Sequence, residues 1–88
     1  MDFEWDEDKN LANIEKHGVS FEEAVLAFLD PNRKIRFNMK HSAIEMRYYC
    51  LGMVSDRILT VRFIIRGSKV RIIGAGYWRE GRKMYEQG

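Results

Sequence analysis

The stretch Ile58-Leu59-Thr60-Val61-Arg62-Phe63-Ile64-Ile65-Arg66-Gly67-Ser68-Lys69-Val70-Arg71-Ile72-Ile73 decides the fold. Two runs rich in β-branched and apolar residues flank Arg66-Gly67-Ser68-Lys69. Gly67-Ser68 is a two-residue loop of the kind that takes glycine first, so the stretch reads as a β-hairpin. Upstream, Ile35, Phe37 and Met39 alternate with Lys34, Arg36 and Asn38, the period of two that marks a half-buried strand. A longer strand is expected from about Ile44 to Val54, closing at Ser55-Asp56. From Arg33 to about Trp78 the chain is strand.

Helices frame this block. Asp6 can cap a helix whose first turn holds Glu7 and Asp8, and which runs to about His17 and stops at Gly18. Its apolar stripe, Leu11 and Ile14, is thin, so it should lie on the surface, and the spacing of Asn10, Asn13 and His17 puts them on one face. Ser20 followed by Glu23 forms a capping box, Val19 can staple against Ala24, and Phe21, Ala24, Val25 and Phe28 make a buried helical face. Asp30-Pro31-Asn32 ends that second helix. Phe3 and Trp5, alternating with acids, suit a short strand or an apolar anchor. Arg79 to Gln87 reads as a closing helix with Met84 and Tyr85 available to dock. The expected architecture is α+β: two N-terminal helices, an antiparallel sheet of about four strands, and a C-terminal helix. One face of the sheet takes the helices. The other is where Arg36, Arg47, Arg62 and Arg71 gather, if the registers give them one parity.

Composition narrows the classes. The 88 residues allow one small domain spanning 1–88. Hydrophobic residues at 45% and charged residues at 32% indicate a globular chain. No apolar run approaches the roughly 18 residues of a membrane span. Met1 to Asp6 is acidic where a secretion signal is basic and then apolar. A lone Cys50 forms no internal disulfide, and a cytoplasmic location is expected. Charge is polarised along the chain: residues 1–30 hold nine acids and two bases, residues 31–88 thirteen bases and four acids. Nine of those thirteen are arginine, the fork-shaped cation suited to phosphate, and this raises nucleic acid as a partner beside the plainer reading of solvated charge.

His17, His41 and Cys50 lack the paired spacing of a zinc site, and no metal or cofactor is implied. Cys50, between Tyr49 and Leu51 in a strand, reads as an inert buried thiol. Gly74-Ala75-Gly76 lacks the rest of any phosphate-loop fingerprint and marks a bulge or a close backbone approach. Metal-free RNA cleavage asks for less. The ribose 2′-OH is its own nucleophile, so the protein supplies a base, an acid and cations for the charge growing on phosphate. Lys16, His17, Glu45, Arg47, Tyr48, Arg62, Arg71, Arg79 and Tyr85 form the available pool. The bland alternative for His17 is a cation stabilising a helix C-terminus. For Tyr48, Tyr49, Tyr77 and Trp78, packing fits as well as base stacking.

Trp5-Asp6-Glu7, Lys9, Asn13, the block Lys16-His17-Gly18-Val19-Ser20-Phe21-Glu22-Glu23-Ala24 and Asp30-Pro31 resemble the BrnT family, toxins of type II toxin–antitoxin pairs. The likeness continues through Glu45-Met46-Arg47-Tyr48, Gly52, Ile58 to Phe63, Val70-Arg71-Ile72-Ile73 and a helix ending at Tyr85. It implies a fold similar to RelE-type ribonuclease toxins. It also implies RNA cleavage, which the chemistry above makes metal-independent, neutralisation by a BrnA-type antitoxin with its own DNA-binding domain, and contact with DNA only through that antitoxin. Carried onto this sequence, it places Lys16 and His17 in the family's helix-end motif, Arg47 on an arginine-bearing strand and Arg71 before the fourth-strand core. Joined to the pool above, the expected catalytic residues are His17, Glu45, Arg47, Arg71, Arg79 and Tyr85, and the expected RNA-binding residues Lys16, Arg36 and Arg62. Where the family commonly reads Ile-Ser-Ala-Arg, this chain reads Ile73-Gly74-Ala75-Gly76. Either Arg79 replaces the missing arginine, or the site is weakened and the chain serves as a co-repressor with its antitoxin.

Overall fold

The computed structural model describes residues 1–38 and 45–87. Met39, His41 and Ile44, named above, lie outside the described residues. The elements are β1 (Asp2–Glu4), α1 (Glu7–His17), α2 (Phe21–Val25), a 3-10 turn (Leu26–Leu29), β2 (Lys34–Phe37), β3 (Arg47–Val54), β4 (Arg57–Arg66), β5 (Lys69–Gly76) and α3 (Arg79–Glu86). The architecture is α+β, as expected. The sheet has the order β1-β5-β4-β3-β2, with β2 to β5 antiparallel to their neighbours in sequence. It gains a fifth strand, because β1 pairs parallel to β5 through Phe3↔Val70. That short strand is held by its side chain: the Phe3 ring meets Phe28 edge-on at 5.0 Å in the core.

The hairpin forms as read, with Gly67 at φ 61 and Arg66 opposite Lys69. The β3–β4 turn is less comfortable. Ser55 and Asp56 both take left-handed backbone, at φ 49 and 68, where glycine or asparagine is preferred. Replacing the pair with Asn-Gly should raise stability by about 1 kcal/mol, visible as a higher urea midpoint at unchanged slope.

Helix α1 has the expected ends. Asp6 Oδ1 accepts from the N–H groups of Asp8 and Lys9, and Gly18 closes the helix at φ 70. Its buried face differs from that of an ordinary amphipathic helix. Asn10 and Asn13 are 2% and 7% exposed, whereas Leu11 is 56% exposed. The asparagines are buried because they complete backbone pairing. Asn13 donates to the carbonyls of Val19 (2.8 Å) and Ala75 (2.9 Å) and accepts from the Ala75 N–H (3.2 Å). Strand β1 covers β5 only at residues 69–71, so this one amide does for Ala75 what a longer strand would. Asn10 likewise accepts from the Phe21 N–H at 2.7 Å.

Ser20 caps α2 by accepting from the Glu23 N–H at 3.0 Å, but the Glu23 carboxylate accepts from the Tyr77 hydroxyl. After Val25 the chain tightens into the 3-10 turn, which lies on β3 at Gly52. These helices and one face of the sheet enclose Val19, Phe21, Ala27, Cys50, Leu59, Val61 and Ile72. Burial pushes the Cys50 thiol up to about 12, as an inert core cysteine requires. Helix α3 packs on the opposite face, with Gly81 over Thr60. No described helix is long and apolar enough to cross a membrane.

Candidate functional site

The registers settle the parity of the arginines. Arg36, Tyr49, Arg62 and Gly74 lie in one row across β2–β5, and Arg47, Ile64 and Arg71 lie in the next row on the same face. Between the rows β5 carries a bulge, because Arg62 opposes Gly74 while Phe63 opposes Ile72. The four arginines therefore share the face opposite α1 and α2. Helix α3 covers the rows of Leu51 and Thr60.

Two close approaches shape this face. The Arg62 guanidinium lies across Gly74, where a Cβ would stand 2.4 Å from Nη2. The Trp78 indole lies across Gly76, where a Cβ would stand 2.5 Å from Cζ2. The two side chains meet, with the Arg62 Cζ 5.6 Å from the centroid of the Trp78 ring. Gly74 and Gly76 thus mark both the bulge and the close approach expected of them, and the space over Gly76 is filled by tryptophan.

The histidine arrives from the other side of the sheet. Asn13 fastens α1 to Ala75, and one helical turn later His17 reaches Trp78, their rings meeting edge-on at 5.1 Å. His17 also ends α1, where a cation suits the helix dipole. Imidazole and guanidinium are therefore joined through one indole. Trp78 was open between packing and stacking in the sequence. The signal for its role was glycine at alternate positions of a strand, clearing one face for bulky neighbours.

The other expected site residues fall into separate groups. Glu45 stands between Arg47 (3.9 Å) and Arg66 (4.0 Å), and Arg71 is paired with Glu4 of β1 at 3.3 Å. Such partly exposed pairs contribute about 0–1 kcal/mol each. Lys16 and Arg36 are exposed. Arg79 lies across α3 from Arg62. It joins Arg57 and Arg82 in a groove of about 490 Å³, where the Arg57 Cζ sits 3.8 Å from the Tyr77 ring centroid.

Tyr85 is tied to the sheet edge. Its hydroxyl donates to Asp30 and its carbonyl accepts from Lys34 Nζ. The bond to Asp30, with burial and the Asp30 charge, raises the phenol and keeps it protonated. Burial alone would raise the Asp30 carboxyl, but Tyr85, the N–H groups of Met53 and Asn32 and the Arg33 charge hold it below its ordinary value of 3.8. A depressed carboxyl stabilises the fold above that value, and the contribution is lost as pH falls through the lower folded one. Asp30→Asn should cost about 0.5–1.5 kcal/mol at neutral pH. Its melting-temperature deficit should shrink below pH 3.8, and a deficit independent of pH would contradict the assignment.

A family model described as the BrnT ribonuclease toxin of type II toxin–antitoxin systems matches residues 5–81. The chain belongs to the BrnT family. No curated protein matches it. As a BrnT toxin it is one half of a type II pair, whose other half is a protein antitoxin, and its family is one of ribonucleases. The match begins at Trp5 and ends at Gly81, so it takes in α1, the arginine face, Trp78 and the glycine that seats α3.

Proposed function

We infer that this BrnT toxin is a metal-independent endoribonuclease acting in the cytoplasm on the open half of its arginine face. The observation that carries the reading is the convergence of His17, Trp78 and Arg62 beside Arg36, Arg47 and Arg71. The chemistry needs only groups of these types. The RNA 2′-OH attacks the adjacent phosphorus, forming a 2′,3′-cyclic phosphate and releasing the 5′-oxygen. A base takes the 2′ proton, an acid protonates the leaving oxygen, and guanidinium groups bear the phosphoryl charge.

His17 is the first candidate for a proton-moving role, because it is the imidazole beside the face. Glu45, between Arg47 and Arg66, is the second. Tyr85 is third, since serving RNA would mean giving up Asp30. Arg47 holds the reacting phosphate, Arg71 joins it on leaving Glu4, Arg62 holds the nucleotide beside it, and Lys16, Arg36 and Arg79 guide the flanking strand. A BrnA-type antitoxin neutralises the toxin and carries the DNA-binding domain, so DNA is reached only through it.

Expression without antitoxin should arrest growth, and co-expression of antitoxin should restore it. Unimpaired growth under strong expression would instead favour the co-repressor reading.

A further inference from the structure

Along the side of α3 that faces Arg62 runs a groove of about 290 Å³, lined by Tyr49, Thr60, Arg62, Trp78, Glu80 and Met84. Its volume stands at the low end of small-ligand pockets, which begin at about 300 Å³. Tyr49, Trp78 and Met84 supply apolar and aromatic walls. Two buried polar atoms of its lining have no hydrogen-bond partner among the described residues, Arg62 Nε and the hydroxyl of Thr60, a residue only 5% exposed. Native interiors satisfy nearly all such atoms; with the Thr60 hydroxyl sealed under Gly81 and Arg62 Nε lying across Gly74, the pair points to a shift of α3 as a ligand enters.

We propose that this groove takes a single RNA base next to the cleaved bond and selects guanine, an inference that rests on the ribonuclease reading above. A flat aromatic ligand suits the walls, and proteins read single-stranded RNA by seating unstacked bases among aromatic side chains and bonding their edges. The polar groups choose which base. Glu80 offers two acceptor oxygens from α3, and Arg62 offers guanidinium donors from β4. Guanine has two adjacent donors, N1–H and N2–H, for the carboxylate, and two adjacent acceptors, O6 and N7, for the guanidinium. Adenine and uracil lack both adjacent pairs, and cytosine lacks the pair of donors. Because Trp78 belongs both to this groove and to the contact with His17, a base seated here sets its own phosphodiester beside the imidazole.

The test titrates the intact, antitoxin-free protein with the four nucleoside 3′-monophosphates while following the backbone amides of Tyr49 and Met84, which line this groove and not the one beside Arg57, by NMR. Guanosine 3′-monophosphate should bind about tenfold more tightly than the others, the lower range of what one bidentate base contact supplies. E80Q keeps the shape of the wall and removes one acceptor oxygen. It should bring the preference below about threefold and leave adenosine 3′-monophosphate binding unchanged. Equal affinity for all four, or shifts centred on Arg57 and Tyr77 instead of Tyr49 and Met84, would overturn the proposal. Mapping cut sites in a random RNA separates the two claims. Cuts enriched beside guanosine support the inference, whereas cuts with no base bias overturn it and leave the nuclease reading standing. Uncut RNA together with guanine-selective binding overturns the nuclease reading and keeps the base pocket.

Discussion

Replacing Gly52 with alanine is expected to lower the melting temperature by roughly 12–24 °C, followed by circular dichroism. A Cβ at Gly52 would stand 2.1 Å from the carbonyl oxygen of Ala27 and 2.9 Å from its Cα. Both are backbone atoms of the 3-10 turn, so no rotamer change relieves the clash. The turn must lift from β3, and Ala27 and Phe28 leave the core with it. Overpacking of this kind costs about 3 kcal/mol, and each kcal/mol moves a domain of this size by roughly 4–8 °C. A change within about 3 °C would show that the turn is not seated on Gly52 as described.

The largest functional effect is expected at Arg62 and His17. Arg62→Ala should slow RNA cleavage about 100-fold, the loss that a misplaced scissile bond brings. His17→Ala should fall in the same range or below it, as befits a proton-moving group. Arg79→Ala, with its side chain across α3 beside Arg57 and Arg82, should cost less than about fivefold, as a flanking-strand contact screened by solvent would. Gly74→Ala provides a check that retains the charge. Its methyl displaces the guanidinium that lies 2.4 Å from the Cβ position, and should reproduce part of the Arg62→Ala defect. Equal losses at Arg62 and Arg79, measured as single-turnover rates on one RNA, would contradict the placement of the site.

Much of this scaffold was legible because local chemistry writes it directly. Asp6 and Gly18 fix the ends of α1, Gly67 fixes the hairpin, and alternation through β2 identifies a strand, although at the sheet edge Ile35 and Phe37 stay 45% and 43% exposed instead of half-buried. The docking of α1 was harder to read, since apolar periodicity points to Leu11 and Ile14 while the buried pair is Asn10 and Asn13. An amide that replaces a missing strand has no hydrophobic signature. Three residues of β1 are too few to announce a parallel pairing, and only contact with β3 tightens the end of α2 into a 3-10 turn.

For the site, the residue types were legible and their grouping was not. Whether Arg62 and Arg71 share a face depends on the bulge at Ile73, which the chain reveals only when the strands are paired. Arg79 and Glu80 are neighbours in sequence, yet they line opposite sides of α3. Gly76, read alone, looked like a lost arginine. Beneath the Trp78 ring it is the clearance that lets tryptophan bridge His17 and Arg62.

The decisive measurement incubates the purified, antitoxin-free protein with a long unstructured RNA in excess EDTA. Cleavage that leaves cyclic or 3′-phosphate ends, and that stops when antitoxin is added, is the expected result. RNA that stays intact in EDTA but is cut when a divalent cation is restored would contradict a site that works with imidazole and guanidinium alone.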